Sequence, residues 1–111
     1  MTTTTPHPEC LPPLDLLLVE PARLLIVAAL VAPASHRVDV VANSVGIEAD
    51  ALLRHLERLR EAGYVQLRRD GQRRAWTWIT ADGQGRLVAH LRALRVLLAK
   101  VDVLVAQPYV C

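Results

Sequence analysis

The feature of this chain that most constrains its fold is the order of elements that residues 47–86 predict. Leucines recur there at spacings of four and three, which is typical of the buried stripe of an amphipathic helix over residues 48–62. These leucines are Leu52, Leu56 and Leu59. Gly63 follows at the position where a left-handed residue commonly ends a helix. Beyond it the pattern predicts a strand, an arginine-rich turn, a second strand and another helix, so a helix must be joined directly to a β-hairpin.

Three shorter segments precede this helix. Residues 14–19 predict one or two helical turns, and residues 21–32 predict a helix that begins at a proline and is stopped by Pro33. The second of these is apolar nearly all round, so we expect it at the centre of the core. Residues 37–44 predict a short helix, and Gly46 permits a tight turn after it. Helix, glycine-containing turn and helix is the spacing of a helix-turn-helix unit.

The hairpin and the final helix complete the chain. Residues 64–69 and 74–80 predict two strands, and Asp70-Gly71 between them is a strong hairpin turn signal. A long helix is expected from beyond Asp82-Gly83 to about Val105, with apolar residues in a coiled-coil-like seam. The seam consists of Leu87, Leu91, Leu94, Leu98, Val101 and Val105. This pattern predicts a dimerisation helix, and the alternative is packing against the chain's own first helix alone.

These patterns predict a mainly α fold with a small β-hairpin (α+β) in one domain over residues 14–106. Residues 1–13 are expected to be a disordered tail and residues 107–111 a C-terminal tail. Hydrophobic residues make up 52% of the 111 residues, and this excess of apolar side chains favours burial in an oligomer interface. The longest apolar run, residues 24–34, is about half of what a membrane span needs. Because no signal-peptide pattern opens the chain, we expect a cytoplasmic protein without a membrane partner.

Charge is unevenly distributed along the sequence. Residues 1–20 carry three acids and no base, whereas residues 63–80 carry four arginines against one aspartate. Those arginines are Arg68, Arg69, Arg73 and Arg74. The planar guanidinium suits phosphate, although a GC-rich coding genome would also enrich arginine, and the composition alone leaves both explanations open.

The segment around the glycine at position 63 carries a resemblance to a known family. Its residues have the form HLxxLxxAGYV, from His55 to Val65, followed by a basic hairpin and an Ile79-Thr80-x-x-Gly83 step. This arrangement resembles the winged helix-turn-helix transcriptional regulators of the MarR and ArsR type, and most of all the compact MarR-like group. The resemblance covers roughly residues 14–105.

The resemblance implies a ligand-responsive repressor that binds double-stranded DNA as a homodimer, through two recognition helices in successive major grooves. It implies that Arg54 and Arg58, four residues apart, face the DNA bases or phosphates. The four hairpin arginines would hold the flanking DNA backbone. For Arg60, a solvated position is the favoured interpretation.

The recognition helix departs from the family pattern at its beginning. Glu48, Ala49 and Asp50 stand where small polar residues are usual, and Leu53 replaces a polar residue, where it would be exposed or touch a thymine methyl group. Residues 48–62 hold three arginines and four acids, a net charge of −1. An alternative therefore stays open, in which the scaffold serves as a small-molecule-binding or catalytic dimer without DNA binding.

Trp76 and Trp78 are the only tryptophans, and residues two apart on a strand share a face. We expect them to face away from the core, with Thr77 and Ile79 on the other face. Two indoles form a platform for a planar aromatic small molecule, bound between them and the final helix. The alternative is that they simply pack under that helix.

Signals for catalysis or metal binding are weak. The four histidines have no metal-ligand spacing, and no nucleophile elbow or phosphate-binding loop occurs, so we expect no enzyme, no metal and no cofactor. In a catalytic dimer, His90, Asp82 or Glu20 would be the acid or base. Cys10 and Cys111 are expected to be reduced, with a redox-sensitive link between subunits as the alternative.

Overall fold

The computed structural model describes residues 12–107, which form five helices and three strands. Four helices precede the hairpin in the chain: α1 (Leu16–Val19), α2 (Pro21–Ala29), α3 (Val38–Val45) and α4 (Ala49–Glu61), with β1 (His36–Arg37) between α2 and α3. The hairpin strands β2 (Val65–Arg69) and β3 (Ala75–Ile79) lead into α5 (Ala81–Ala106). The predicted α+β fold class is confirmed. Residues 1–11 and 108–111, with Cys10, Cys111 and most of both expected tails, lie outside the described residues.

The first two helices begin where acidic side chains accept backbone N–H groups. Asp15 caps α1 by accepting from the N–H of Leu17, and Glu20 caps α2 by accepting from the N–H of Ala22. The predicted end of α2 at residue 32 is wrong, because the helix stops at Ala29. The N–H groups of Leu30 and Val31 bond three residues back instead of four, which tightens the last turn. The chain thus leaves the helical conformation before Pro33, whose ring disfavours it in the preceding residue.

The core forms where α2, α3 and α4 meet the sheet. All three leucines of the predicted stripe on α4 are fully buried, as are Ile26, Val27 and Leu30 from the α2 segment. Burying a leucine or isoleucine side chain contributes about 1.5–3 kcal/mol, so this cluster supplies much of the driving force for folding. Leu25 on α2 is about half exposed, so this helix has a solvent side that the sequence pattern did not predict.

One strand is missing from the sequence-based prediction. Arg37, expected in the third helix, lies instead in β1, whose two residues pair with β3 so that the sheet order is β1-β3-β2. A strand of two residues has no periodicity that a sequence could reveal. Its consequence is that β3, which carries both tryptophans, is the central strand of the sheet and not an edge.

The hairpin turn also differs from the prediction at Asp70-Gly71. The N–H of Asp70 bonds the carbonyl of Arg74 at 2.9 Å, and the N–H of Arg73 bonds the carbonyl of Asp70 at 3.0 Å. The residue with left-handed backbone is Arg73 (φ 64°), not Gly71. This is a three-residue loop, in which a type I turn is followed by a left-handed residue that is usually glycine.

The helix α5 starts against the backbone that follows α4. A Cβ atom on Gly83 would lie 2.2 Å from the Tyr64 carbonyl oxygen, so only glycine fits this contact. Farther along α5, Leu87 is buried, whereas Leu98, Val101 and Val105 of the predicted seam are exposed in the single chain. Within residues 12–107, no helix is long and apolar enough to cross a membrane.

Candidate nucleic-acid interface

The solvent face of α4 carries the two arginines that the sequence assigns to the major groove. Arg54 and Arg58 are exposed, on the side of the helix opposite the three buried leucines. Neither forms an ion pair with any residue between 12 and 107. Arg60, by contrast, bonds Glu57 at 2.8 Å across one helical turn. Two guanidinium groups therefore remain available to an external anion on this face.

The acidic start of α4 is also exposed. Glu48 is the N-cap but its side chain makes no capping hydrogen bond, and Asp50 lies in the first turn. Acids in this position stabilise the helix through its dipole, but they repel phosphate. Because Glu57 is paired with Arg60, the groups that decide the potential of this face are these two acids, Glu61, Arg54 and Arg58.

Leu53 does not occupy the position expected of it. It is half-buried and packs against the core, where it lines a cavity of about 380 Å³ between α4 and the hairpin. Leu67 and Ala75 of the hairpin line the same cavity. The leucine thus joins the helix to the hairpin, and the expectation of an exposed side chain is wrong.

The four hairpin arginines do not form one surface. Arg68 is paired with Trp76 and therefore lies on the outer face of the sheet, away from the core. Arg69, its neighbour, lies on the opposite face and donates to the carbonyl of Arg73 at 3.1 Å. Both of these arginines also line the cavity beside α4. Arg73 and Arg74 are exposed at the turn. The hairpin arginines therefore divide into a pair on β2 and a pair at the turn.

Asp70 organises this turn. Its Oδ1 accepts the N–H groups of Gln72 and Arg74 at 2.8 and 2.9 Å, and its Oδ2 accepts the indole N–H of Trp76 at 2.9 Å. The hydrogen bond from Trp76, followed by that from the Arg74 backbone, lowers the pKa of Asp70 below its usual range. The carboxylate holds both the loop that presents Arg73 and the ring of Trp76.

The two indoles share the outer face of the sheet, as expected, while Thr77 is buried and Ile79 packs against the core. Both tryptophans are half-buried and line a cavity of about 420 Å³ together with Ser35, Arg68 and Asp70. The expected wall from α5 is not there, because within the described part of the chain the cavity is lined from β2, β3, their turn and the loop before β1. The register explains this, since the central strand turns these side chains away from the helices.

A buried polar network joins parts of the chain that the sequence analysis did not connect. The Tyr64 hydroxyl and Arg86 both donate to Asp15 Oδ2, the latter at 3.1 Å, and the guanidinium also lies 4.1 Å from the centre of the Tyr64 ring. Burial raises the pKa of Tyr64 strongly, and the Asp15 carboxylate adds to that shift. Burial alone would raise the pKa of Asp15, but hydrogen bonds from Tyr64 and the Leu17 N–H, with the Arg86 charge, lower it.

The histidine considered as an acid or base belongs to the same network. His90 is only 2% exposed, and its Nδ1 accepts the backbone N–H of Asp15 at 2.9 Å. His90 therefore holds the start of α1 against α5. The residues that the structure describes contain no group of three His, Cys, Asp or Glu side chains arranged to hold a metal ion.

Comparison with solved structures identifies the fold. The chain is similar to a transcriptional regulator homologue from Pyrococcus horikoshii OT3, with a TM-score of 0.73 and 20% identity, over 79% of this chain and 90% of that one. It is similar to a MarR-family regulator from Silicibacter pomeroyi, with a TM-score of 0.60 and 23% identity, over 86% and 77% of the two chains. For the YusO protein from Bacillus subtilis, the TM-score is 0.66 and the identity 19%, over 73% of this chain and 59% of that one.

The chain thus spans about three fifths of the length of the YusO protein. No protein-family model matches the sequence, and no curated protein matches it either. The similarity at this level of identity concerns the fold. The resemblance seen in residues 55–83 is confirmed in that respect: the chain has the winged-helix fold of MarR-type transcriptional regulators.

Proposed function

We propose that this protein is a dimeric winged-helix regulator that binds double-stranded DNA and represses transcription until a small molecule binds it. The observation that carries the proposal is the exposed pair Arg54 and Arg58 on the solvent face of α4, beside a hairpin turn with two more exposed arginines. In this fold the corresponding helix enters the major groove and the hairpin lies along the adjacent backbone. We place the protein in the cytoplasm and assign it no catalytic activity.

The arginines divide into two roles. Arg54 and Arg58 face the bases and nearby phosphates, because arginine is the commonest reader of guanine edges. Arg73 and Arg74 contact the backbone from the turn, where they contribute affinity without sequence preference. Arg68 and Arg69, on opposite faces of β2, are expected to contribute long-range attraction more than a shared contact.

The second half of α5 supports dimerisation. Val103, Leu104 and Val105 are each at least 60% exposed in the single chain, and Leu104 lines an almost wholly apolar depression with Ala99 and Lys100. Apolar side chains in such a row are stable in water only when another surface covers them. We propose that a second copy of α5 covers this row, in a dimer whose two α4 helices must lie about one DNA turn apart, roughly 34–36 Å, to enter successive major grooves.

The tryptophan-lined cavity supports a small-molecule ligand. Trp76 and Trp78 present indole surface to a cavity whose volume lies within the usual range for ligand sites, about 300–1,000 Å³. A planar aromatic ligand would stack on this surface. Repression would be relieved if the ligand favoured a dimer in which the two α4 helices no longer match the groove spacing.

The test is a salt-dependent titration of the full chain against the DNA upstream of its own gene, with random duplex as competitor. We expect specific binding whose affinity falls steeply as salt rises. Arg54→Ala should reduce the preference for the upstream sequence over random duplex. Arg73→Ala with Arg74→Ala should weaken binding to both duplexes and flatten the salt dependence by about two units of log–log slope per protomer.

Arg60→Ala is the matched control, because it removes the same charge from the same helix but takes an arginine already paired with Glu57. It should leave the sequence preference unchanged. If Arg54→Ala leaves the preference for the upstream sequence intact, Arg54 contacts the DNA backbone and not the bases. Absence of any preference for the upstream sequence in the unaltered chain would contradict the regulator assignment.

The exposed acids at the start of α4 favour one second candidate. Glu48 and Asp50 give this end of the helix the sign of charge that DNA repels. In that case the scaffold would be a small-molecule-binding or catalytic dimer without DNA binding. This second candidate predicts that the protein is a dimer in solution and binds a ligand at the tryptophans, but that it does not bind duplex DNA even at low salt.

A further inference from the structure

The outer face of the sheet combines aromatic, cationic and acidic groups in one place. Trp76 on the central strand is paired with Arg37 on β1 and with Arg68 on β2. Directly paired residues of antiparallel strands share a face, so an indole lies between two arginines. Trp78 lies two residues farther along the same face, and Asp70 closes the cavity at the turn. This composition is unusual for a sheet face that is only solvated, because exposing an indole to water contributes nothing favourable to the stability of the fold.

The charged groups on this face of the sheet differ in what they can still bind. Arg37 is held by Asp39 at 2.6 Å. Arg68 makes no side-chain hydrogen bond or ion pair with the rest of residues 12–107, so its donors are open to a ligand. Asp70 accepts three N–H groups, two on Oδ1 and one on Oδ2. A carboxylate has about four acceptor positions, so one remains, on Oδ2.

A ligand that satisfies the cavity must therefore have three properties. It needs a planar ring for the indoles, an anionic group for Arg68, and an N–H donor for the remaining position on Asp70. A simple aromatic acid has no donor for the carboxylate, and a planar cation would be repelled by Arg68. A nucleotide has all three, because its base is planar and carries N–H groups and its phosphate is the preferred bidentate partner of a guanidinium.

We propose that this face binds a nucleotide, with its base stacked on the indoles of Trp76 and Trp78 and its phosphate bound by Arg68. An N–H of the base donates to Asp70 Oδ2. The cavity of about 420 Å³ accommodates one such unit. The proposal gives a chemical class to the ligand role already proposed for the two tryptophans, and it does not depend on duplex binding by α4.

The nucleotide has two possible sources, a free mononucleotide or an unpaired residue of a single strand. Residues two apart on a strand are separated by about 6.8 Å. This is twice the rise of about 3.4 Å between stacked bases. An unstacked single strand could therefore place successive bases on the two indoles, as aromatic side chains on sheet faces do in other single-strand binders.

The two tryptophans are the only ones in the chain, so intrinsic indole fluorescence reports on this site alone. The experiment titrates the full chain with cytidine monophosphate, with cytidine and with ribose phosphate, exciting only the indoles. We expect saturable quenching by the nucleotide and at least tenfold weaker binding of the two fragments, since each lacks either the phosphate or the base. A short oligocytidylate that binds more tightly than the mononucleotide identifies a single strand as the source, and equal affinity identifies the free nucleotide.

Neighbouring arginines supply a matched pair of variants. Arg68→Gln should weaken the binding of cytidine monophosphate about tenfold and leave the affinity for cytidine unchanged, because only the phosphate contact is lost. Arg69→Gln removes the same charge one residue away on the opposite face and should leave nucleotide affinity unchanged. Trp78→Leu should weaken the binding of cytidine monophosphate and of cytidine about tenfold each, and Trp76 remains as the fluorescent reporter. Trp78→Phe, which keeps an aromatic surface, should recover part of that loss, and thermal unfolding of each variant verifies its fold.

Three results would overturn the proposal. The first is that cytidine monophosphate produces no saturable quenching. The second is that Arg68→Gln and Arg69→Gln weaken binding equally, which would mean general attraction in place of a site. The third is that a planar acid such as naphthoate binds while the nucleotide does not. In each case the duplex titration of α4 is unaffected, so failure here is distinguishable from failure of the proposed regulator function.

Discussion

Replacing Gly83 by alanine tests how α5 is positioned against the rest of the domain. The added Cβ would lie 2.2, 2.8 and 2.9 Å from the carbonyl oxygen, Cα and carbonyl carbon of Tyr64. These are backbone atoms, so no side-chain rotation can relieve the overlap. The first turn of α5 must move away from the residue that follows α4.

That movement breaks a set of hydrogen bonds centred on Thr80. The Tyr64 carbonyl accepts the Thr80 N–H at 2.9 Å, and the Thr80 hydroxyl oxygen accepts the Gly83 N–H at 2.8 Å. Overpacking alone destabilises by about 1–3 kcal/mol. With the weakened cap, which contributes about 1 kcal/mol, and an offset of up to about 1 kcal/mol from alanine's better helix propensity, we expect a net loss of about 1–3 kcal/mol.

Gly85→Ala is the matched control, in the same helix and two residues away. A Cβ there meets no atom within 4 Å. Alanine should therefore stabilise α5 by up to about 1 kcal/mol through helix propensity alone. The two variants should differ by about 2–4 kcal/mol in free energy of unfolding, or roughly 10–30 °C in Tm for a domain of this size.

Urea and thermal unfolding, followed by circular dichroism at one fixed protein concentration, measure both changes. The concentration must be fixed because dimerisation would add its own stabilisation. Equal stability of the two variants would refute the reasoning, since it would mean that α5 does not approach Tyr64 as closely as the structure places it. A destabilised Gly85→Ala would refute it as well.

Three further changes have defined outcomes. Arg73→Gly should raise the free energy of unfolding by about 1 kcal/mol, because Arg73 has a left-handed backbone that glycine adopts without strain. The same variant should weaken duplex binding and lower the slope of log affinity against log salt by about one per protomer. A loss of stability would contradict this turn geometry. Tyr64→Phe should destabilise by about 1.5–3 kcal/mol at neutral pH, because the buried hydroxyl donates to the Asp15 carboxylate. The pKa of Asp15 is lowered in the folded chain, so this contribution is present above its unfolded value of about 3.9 and is lost as the pH falls through the folded value. Urea unfolding at a series of pH values should therefore show the two chains converging in acid, and a constant difference would contradict the pairing. Leu104→Glu, at an exposed apolar position of α5, should shift the chain from dimer to monomer in sedimentation analysis, whereas a dimer that persists would place the interface elsewhere.

The parts of the fold that the sequence predicted are those with strong periodicity or a conformational requirement. The stripe on α4 repeats three times, and Gly63 has the positive φ that ends such a helix, so both followed from spacing and residue type. The turn did not, because the Asp-Gly signal competes with a longer loop that Asp70 caps with its own side chain. Local propensity cannot decide between two loops when a side chain stabilises one of them.

The exposure of the six proposed interface arginines was predictable from the sequence, but their division between two faces and the turn was not. All six arginines are exposed, as a charge pattern suggests, yet Arg68 and Arg69 lie on opposite faces of β2. Trp76 is paired with Arg68 within the predicted hairpin, but its second neighbour, Arg37, comes from β1, a strand too short to predict. The polar network around Asp15 could not be predicted for a different reason, since its hydrogen bonds to Tyr64, Arg86 and His90 span 49 to 75 residues of the sequence.

That network bears on how α4, the proposed recognition helix, is positioned. Arg86 of α5 donates to the carbonyl of Ala62, the C-cap of α4, at 2.6 Å and to Asp15 at 3.1 Å. One side chain of the proposed dimer helix therefore holds one end of α4. The 13 residues of α4 span about 20 Å, so a tilt of about 10° at the held end moves the other by about 3.5 Å. Since hydrogen bonds to DNA require donor–acceptor distances within about 3.2 Å, we expect a small displacement of α5 to be enough to release the groove contacts.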